Sequence, residues 1–267
     1  MKKVLICAFA ILMTAALAAL YPFLEEGEGM PEEEKTVVVW MQSVEDGGAS
    51  FLKKAASAYE KETKNRVYLR TCSKDEAENA LAGVAAVVPD MMVLEERGVP
   101  IFCRGYVLVV PDAENMQPTA PPTPALFQRP TATPALSTPP PRPFPDKLEK
   151  VALPSVFEGA VEGGYVSETP LSDLTNKKAK AALLTPPQVL QMQGGYQAHV
   201  RGDFFLPVMG LAMTETGEDF LAFLLSLPVQ EMLKEQKLFS AYRNLSLYSP
   251  DTPLLYQMEN ARKNMEK

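Results

Sequence analysis

The chain has 267 residues, of which 46% are hydrophobic and 22% charged, with a formal net charge of −7. These are ordinary proportions for a globular protein of one or two lobes. An acidic excess excludes most nucleic-acid binders, which need clustered Lys and Arg against phosphate. One histidine and three cysteines leave a zinc site or histidine-based catalysis almost without ligands or bases. Neither a metal nor a cofactor is expected.

Lys2 and Lys3 precede an uncharged apolar stretch over residues 4–24, the pattern of an export signal. Ala16-Leu17-Ala18 supplies the small residues a signal peptidase reads, and the stretch is also long enough to span a bilayer uncleaved. Signal peptide or membrane anchor, the positive-inside asymmetry places the remainder outside the cytoplasm. Residues 25–35 then read as an acidic spacer. Export leaves Cys72 and Cys103 as an even pair in a compartment that permits disulfides. A bridge requires their Cα atoms within about 7 Å; two free buried thiols are the alternative.

Residues 36–40 (TVVVW) form a β-branched run that predicts a buried strand. A turn with Ser43, Asp46, Gly47 and Gly48 follows, then a helix over 49–63 with Phe51, Leu52, Ala55, Ala58 and Tyr59 on one face. Residues 66–70 alternate as a second strand. Ser73-x-x-Glu76 is a capping box opening a short helix, and Pro89-Asp90 introduces a strand over 91–94. Strand, helix, strand, helix, strand is the alternation of a parallel α/β sheet. Residues 106–110 predict a fourth strand.

From Pro111 to Pro145 there are 12 prolines, so the segment 111–146 reads as an extended Pro/Thr-rich linker or insert. Beyond it, residues 171–184 predict a helix. Thr185-Pro186-Pro187-Gln188 is an N-cap with Pro at the first helical position. Residues 196–200 and 204–212 are strand candidates, 217–225 and 229–236 predict helices about a break at Leu227-Pro228, and 253–266 predicts a terminal helix.

Two stretches, together about 120 residues, resemble the extracellular solute-binding proteins of bacterial ABC importers, a family dominated by carbohydrate binders. TVVVWMQSVEDGGASFLKKAASAYEKETKNRVYLR resembles that family's opening strand, glycine-containing turn, long helix and second strand, and PDMMVL its entry into the third strand. LPVMGLAMTETGEDFLAFLLSLPVQEMLKEQKLFSAY resembles its late strand, following helix, Pro-x-Gln helix and Phe-containing turn. The resemblance implies a periplasmic-binding-protein-like α/β fold of two lobes with mainly parallel sheets, with a first lobe over 36–110 and a second over 147–267. The Pro-rich segment stands where much of the family's middle section would be, so the second lobe is expected to be reduced.

The same resemblance implies capture of a small polar solute, a sugar or oligosaccharide, for an ABC permease by closure between lobes, without covalent chemistry. The alternative is a membrane-anchored interaction or scaffold protein that keeps the fold and has lost the ligand. In such a fold the ligand lies outside the carboxyl ends of the strands. Candidate contacts are therefore Ser43, Asp46, Gly47 and Gly48, whose backbone can approach closely, with Ser73 and Glu95 after the next strands. Trp40 offers a flat face for a pyranose, and Tyr196, Asp203 and Phe204 are candidates from the other lobe. Each has a plainer reading as a turn, cap or core residue. No nucleophile elbow, phosphate loop or paired catalytic carboxylates occur, so the chain is not read as an enzyme.

Overall fold

The computed structural model describes residues 35–42, 46–111, 148–192 and 195–264. The apolar segment 1–24, nearly all of the acidic spacer and of the Pro-rich segment, and Ser43 lie outside the described residues.

Two sheets organise the fold. In chain order the first elements are β1 (Thr36–Gln42), α1 (Asp46–Thr63), β2 (Arg66–Cys72), α2 (Lys74–Leu81), β3 (Met91–Leu94) and β4 (Val99–Gly105). The chain then leaves for β5 (Val107–Pro111), β6 (Val151–Leu153), β7 (Gly164–Val166), α3 (Pro170–Thr175), β8 (Ala181–Leu184), α4 (Pro186–Gln191) and β9 (Tyr196–His199). It returns with β10 (Phe205–Ala212), α5 (Glu215–Leu224), α6 (Leu227–Glu231), β11 (Phe239–Ser240) and α7 (Pro253–Lys263). The first sheet has the order β11-β4-β10-β3-β1-β2 and the second β7-β6-β8-β5-β9. β1 runs parallel to both β2 and β3. β10 is antiparallel to both its neighbours, β3 and β4, so β1 to β4 all present their carboxyl ends along one edge.

This topology divides the chain differently from the expected 36–110 and 147–267. β5 belongs to the second sheet, whereas β10, α5, α6 and β11 go back to complete the first. Hydrophobic periodicity identifies a strand but not the sheet it joins; here β10 fits between β3 and β4 only by entering antiparallel. The chain therefore crosses between lobes twice, at Gly105-Tyr106 and at residues 200–204. The two crossings are tied by the Tyr106 N–H, which donates to the Phe204 carbonyl at 2.8 Å. At the first crossing a side chain is excluded: a Cβ on Gly105 would stand 2.7 Å from Met258 Cε and 2.7 Å from Phe239 Cε2.

The helix expected over 171–184 is corrected. α3 stops at Thr175, and Lys177 takes the left-handed conformation with φ of 59°. Lys178 and Ala179 N–H groups then both donate to the Asp173 carbonyl, closing the helix end. Ala181 to Leu184 are good helix formers, yet they fill the strand between β6 and β5 with at most 1% exposure. Tertiary burial overrides local propensity here. β4, β6, β7 and β11 were not foreseen; three of the four are at most three residues long.

Two sequence signals are explained by their hydrogen bonds. The Asp90 carboxylate accepts from the Val38 N–H at 2.8 Å and from the Thr214 hydroxyl at 2.7 Å, and its own carbonyl accepts from the Met213 N–H at 2.7 Å. One residue thus ties β1, the entry to β3 and the start of α5. Ser73 forms the predicted capping box: its hydroxyl accepts from the Glu76 N–H at 3.2 Å while its N–H donates to the Glu76 carboxylate at 2.8 Å. Ser73→Ala is expected to cost about 1 kcal/mol, read as a shift in urea midpoint at constant m-value; an unchanged midpoint would remove the cap from the account.

Of the two readings of the cysteine pair, bridge or free thiols, the structure has the free thiols. Cys72 and Cys103 are both free, on β2 and β4, four strand spacings apart in the first sheet, or about 19 Å. No local adjustment closes that gap. Cys103 is buried and accepts from Arg262 Nη1 at 3.4 Å; burial pushes its thiol pKa up, which keeps it protonated and unreactive.

Candidate interlobe cleft

A cleft of about 670 Å³ lies between the two sheets. From the first lobe it is walled by the opening turn of α1 (Gly47, Gly48, Ser50), by the end of β4 (Arg104, Gly105) and by the turn at residues 235–238. From the second lobe come Pro154 and Ser155, Ser167 and Glu168, and the start of α4 from Thr185 to Gln188. The strand ends of one sheet thus face helix starts of the other across the crossings, so rotation there would change the cleft's width.

Local sequence explains the positions. Gly47 and Gly48 are the second and third residues of an 18-residue helix, whose first N–H groups have no partners within the helix. At α4, the Thr185 N–H donates to Gln188 Oε1 at 2.9 Å, fixing the turn that faces the cleft. Arg104 is only 5% exposed, and its Nη2 donates to Glu95 Oε1 at 3.0 Å. Across the cleft Glu168 is exposed. Lys237 lines it from a left-handed turn with φ of 56°, and Glu235 is paired with Lys54.

Of the residues singled out from sequence, Gly47 and Gly48 line this cleft, and Asp46 is the first residue of the same helix. Glu95 reaches it only through Arg104; it lines a separate pocket of about 310 Å³ with Gln42, Lys74 and Arg97. Trp40 is 5% exposed and packs with Ala77, Ala80, Met92 and Leu94, with the Arg70 guanidinium 4.4 Å from its ring centroid. It belongs to the packing between α2 and the sheet. Ser73 caps α2. The Tyr196 hydroxyl donates to the Val189 carbonyl at 2.9 Å, holding α4 to β9. Asp203 accepts from Arg201 Nε at 2.9 Å on the surface, and Phe204 is buried edge-on to Phe157, ring centroids 5.9 Å apart. The structure therefore does not gather these last residues at one point.

Sequence reading missed Arg104, Ser155, Glu168 and Lys237. Only Arg104 carried a signal: it is the charged residue that ends the apolar run Ile101-Phe102-Cys103, next to a glycine. Among the described residues no three His, Cys, Asp or Glu side chains come together to hold a metal ion, and no helix is long and apolar enough to cross a membrane.

No protein-family model matches the sequence, and no curated protein matches it. Solved structures do match. The iron-bound HitA of Pseudomonas aeruginosa superimposes with a TM-score of 0.52 at 11% identity, over 85% of this chain and 98% of that one. The Atu4243–GABA receptor gives 0.54 at 9% identity, over 86% and 89%. The PBP AttC of Agrobacterium tumefaciens C58, in its open unliganded conformation, gives 0.53 at 10% identity, over 86% and 92%. The two sheets, the double crossing and these likenesses define a periplasmic-binding-protein-like fold. At such identities the likeness extends to the fold alone.

Proposed function

We propose that the protein is an extracytoplasmic solute-binding protein that holds a small polar solute between its lobes and presents it to an ABC permease. The observation that carries this reading is the cleft itself. Its walls come from both lobes, it has the volume of a small-molecule site, and among the described residues the chain passes between the lobes at two tied crossings, an arrangement that hinge closure uses. Neighbouring folds named for iron and for GABA support solute binding as a use of this architecture. The N-terminal apolar segment, as signal or anchor, accounts for placement outside the cytoplasm. Binding and release proceed without a covalent step.

The resemblance in sequence favours a sugar or oligosaccharide. One observation supports an extended neutral ligand: a groove of about 730 Å³ lined by Ser172, Thr175, Gln188 and Gln191 shares Glu168, Pro170 and Gln188 with the cleft, giving hydroxyl and amide contacts beyond it. Against this, among the described residues the only aromatic side chain lining the cleft is Tyr106, 1% exposed, so none of them offers a flat face for stacking.

The test is thermal unfolding of the protein against sugars, oligosaccharides, amino acids, peptides and organic acids. A ligand at 100 times its Kd adds about 2.7 kcal/mol and is expected to raise the midpoint by roughly 5–10 °C. A cooperative transition that no class of ligand moves would instead support the scaffold alternative.

A further inference from the structure

Resting on the solute-binding reading, we infer that the solute carries an ammonium group beside a carbonyl, the end that an amino acid or a peptide presents, and that Glu168 and Gln188 recognise it. Both residues line the cleft and also the groove that continues from it, so a ligand crossing that junction meets both. Among the described residues Glu168 is the one charged side chain lining the groove. It is exposed, and its carboxylate has no partner among the described residues, whereas Glu235 is paired with Lys54 and Glu95 with Arg104. The loop beneath it is anchored: the Ser167 hydroxyl donates to Asp173 Oδ2 at 2.7 Å and accepts from the Thr169 N–H at 3.1 Å. The backbone is thus held while the carboxylate is left for a ligand.

Gln188 supplies the opposite chemistry. Its Oε1 accepts from the Thr185 N–H at 2.9 Å and from the Thr185 hydroxyl at 3.1 Å. A backbone N–H can only donate, so the amide atom on that side must be the oxygen. The planar amide then turns Nε2 away from the cap, and its two N–H bonds have no partner among the described residues. The junction therefore offers an unpaired carboxylate and an unpaired donor. An ammonium satisfies the first through charge-assisted hydrogen bonds, and a carbonyl on the neighbouring carbon satisfies the second.

Charge points the same way. Arg104 and Lys237 cancel Glu168 and Glu235 among the residues lining the cleft. Glu95 behind Arg104 adds a further negative charge, and in the groove Glu168 stands alone. A ligand bringing positive charge to the junction is therefore favoured over a neutral or anionic one. A polyol enclosed there would leave the carboxylate desolvated without a countercharge. No described aromatic residue lines the groove to stack on a pyranose. Pro170, Leu171 and Met192, together with Ser172, Thr175 and Gln191, give the mixed apolar and polar wall that peptide side chains and backbone fit.

The test is isothermal titration calorimetry of the full chain with pairs that differ only at the amino group: trialanine, trileucine and triserine, each against its N-acetyl form. Free alanine, leucine and serine, propylamine, glucose and maltotriose are titrated alongside. At least one amine is expected to bind, and its N-acetyl partner to bind roughly 10–100-fold more weakly. Tighter binding of the tripeptide than of its amino acid makes the ligand a peptide; the reverse makes it a free amino acid, and both support the assignment. Glu168→Gln alters a side chain that touches no described group, so its urea midpoint should match the parent's. It is expected to bring the amine down to the affinity of its N-acetyl form, while Glu168→Asp keeps most of the preference. Gln188→Glu keeps the acceptor for Thr185 but removes the donor, and is expected to narrow the advantage of the tripeptide over propylamine.

Equal binding of both members of every pair, or tighter binding of glucose or maltotriose, would overturn the ammonium assignment and leave solute binding standing. So would a loss in Glu168→Gln that falls equally on amine and N-acetyl form, which would make Glu168 a contact between the lobes, closing on Lys237 of the facing wall. Silence from every probe, neutral sugars included, would overturn both.

Discussion

Alanine at position 230 is expected to destabilise the protein by about 3–5 kcal/mol, among the largest losses any single substitution here should produce. Gln230 has no exposed surface, and all four hydrogen-bonding positions of its side-chain amide, bar none, are directed at protein groups. Nε2 donates to the Ile101 carbonyl and to the Leu224 carbonyl, each at 2.8 Å. Oε1 accepts from the Ser240 hydroxyl at 2.7 Å and the Ala241 N–H at 3.0 Å. One side chain thus joins the end of α5, strand β4 and strand β11. Alanine would strand these partners in a dry interior, where each unsatisfied group costs about 1–3 kcal/mol, and would leave a cavity besides. Urea unfolding monitored by circular dichroism measures the loss; a change below 1 kcal/mol would refute this description of the network.

A companion variant gives the sign of a pH effect. Gln230→Glu preserves shape and both acceptor positions but, when ionised, donates to neither carbonyl. Burial would raise its folded-state pKa above the unfolded value, so the folded protein binds the extra proton more strongly. The variant should then gain stability relative to the parent as pH falls toward the unfolded carboxylate range and lose it as pH rises. Loss of stability at low pH relative to the parent would contradict that account.

Gln230 also shows how far the sequence could be read. Its Pro-x-Gln setting stood out as part of a resemblance, yet nothing in the local pattern says which strands the amide would join. The elements with strong local signals are found where expected: the β-branched run of β1, the amphipathic α1, the capping box at Ser73 and the Pro-initiated α4. What failed did so for non-local reasons. Residues 181–184 have helix-forming side chains, and only the neighbours β6 and β5 make them a strand. Trp40 is chemically suited to stack on a sugar, but the alternation of β1 turns it toward α2 instead. Cys72 and Cys103 are close enough in composition terms to suggest a pair, and the strand order alone separates them. Arg104, a buried cation in the cleft wall, sits in a strand that was not foreseen at all. Long-range strand order is thus the information that periodicity lacks, and it decides both the lobe boundaries and the membership of the site.

Gly217→Ala separates a local effect from a tertiary one by sign. Gly217 is the third residue of α5, and within an exposed helix alanine in place of glycine would gain about 1 kcal/mol. Here the opposite is expected, a loss of about 3–4 kcal/mol. A Cβ at this position would stand 1.8 Å from the Asp90 carbonyl oxygen and 2.6 Å from its carbon, and both are backbone atoms that cannot swing aside. Relief would require α5 to lift from the entry to β3. That movement would stretch the Met213 N–H bond to the Asp90 carbonyl and the Thr214 hydroxyl bond to the Asp90 carboxylate. It would also loosen Phe220, which is fully buried and packs edge-on to Tyr59 of α1 at 5.1 Å. The cost therefore exceeds the volume of one methyl group, because the helix start, the strand entry and the α1 contact shift as a unit. Denaturant midpoints of parent and variant give the answer directly. An alanine variant as stable as the parent would mean that helix propensity governs this site and that Asp90 does not clamp α5 to the sheet.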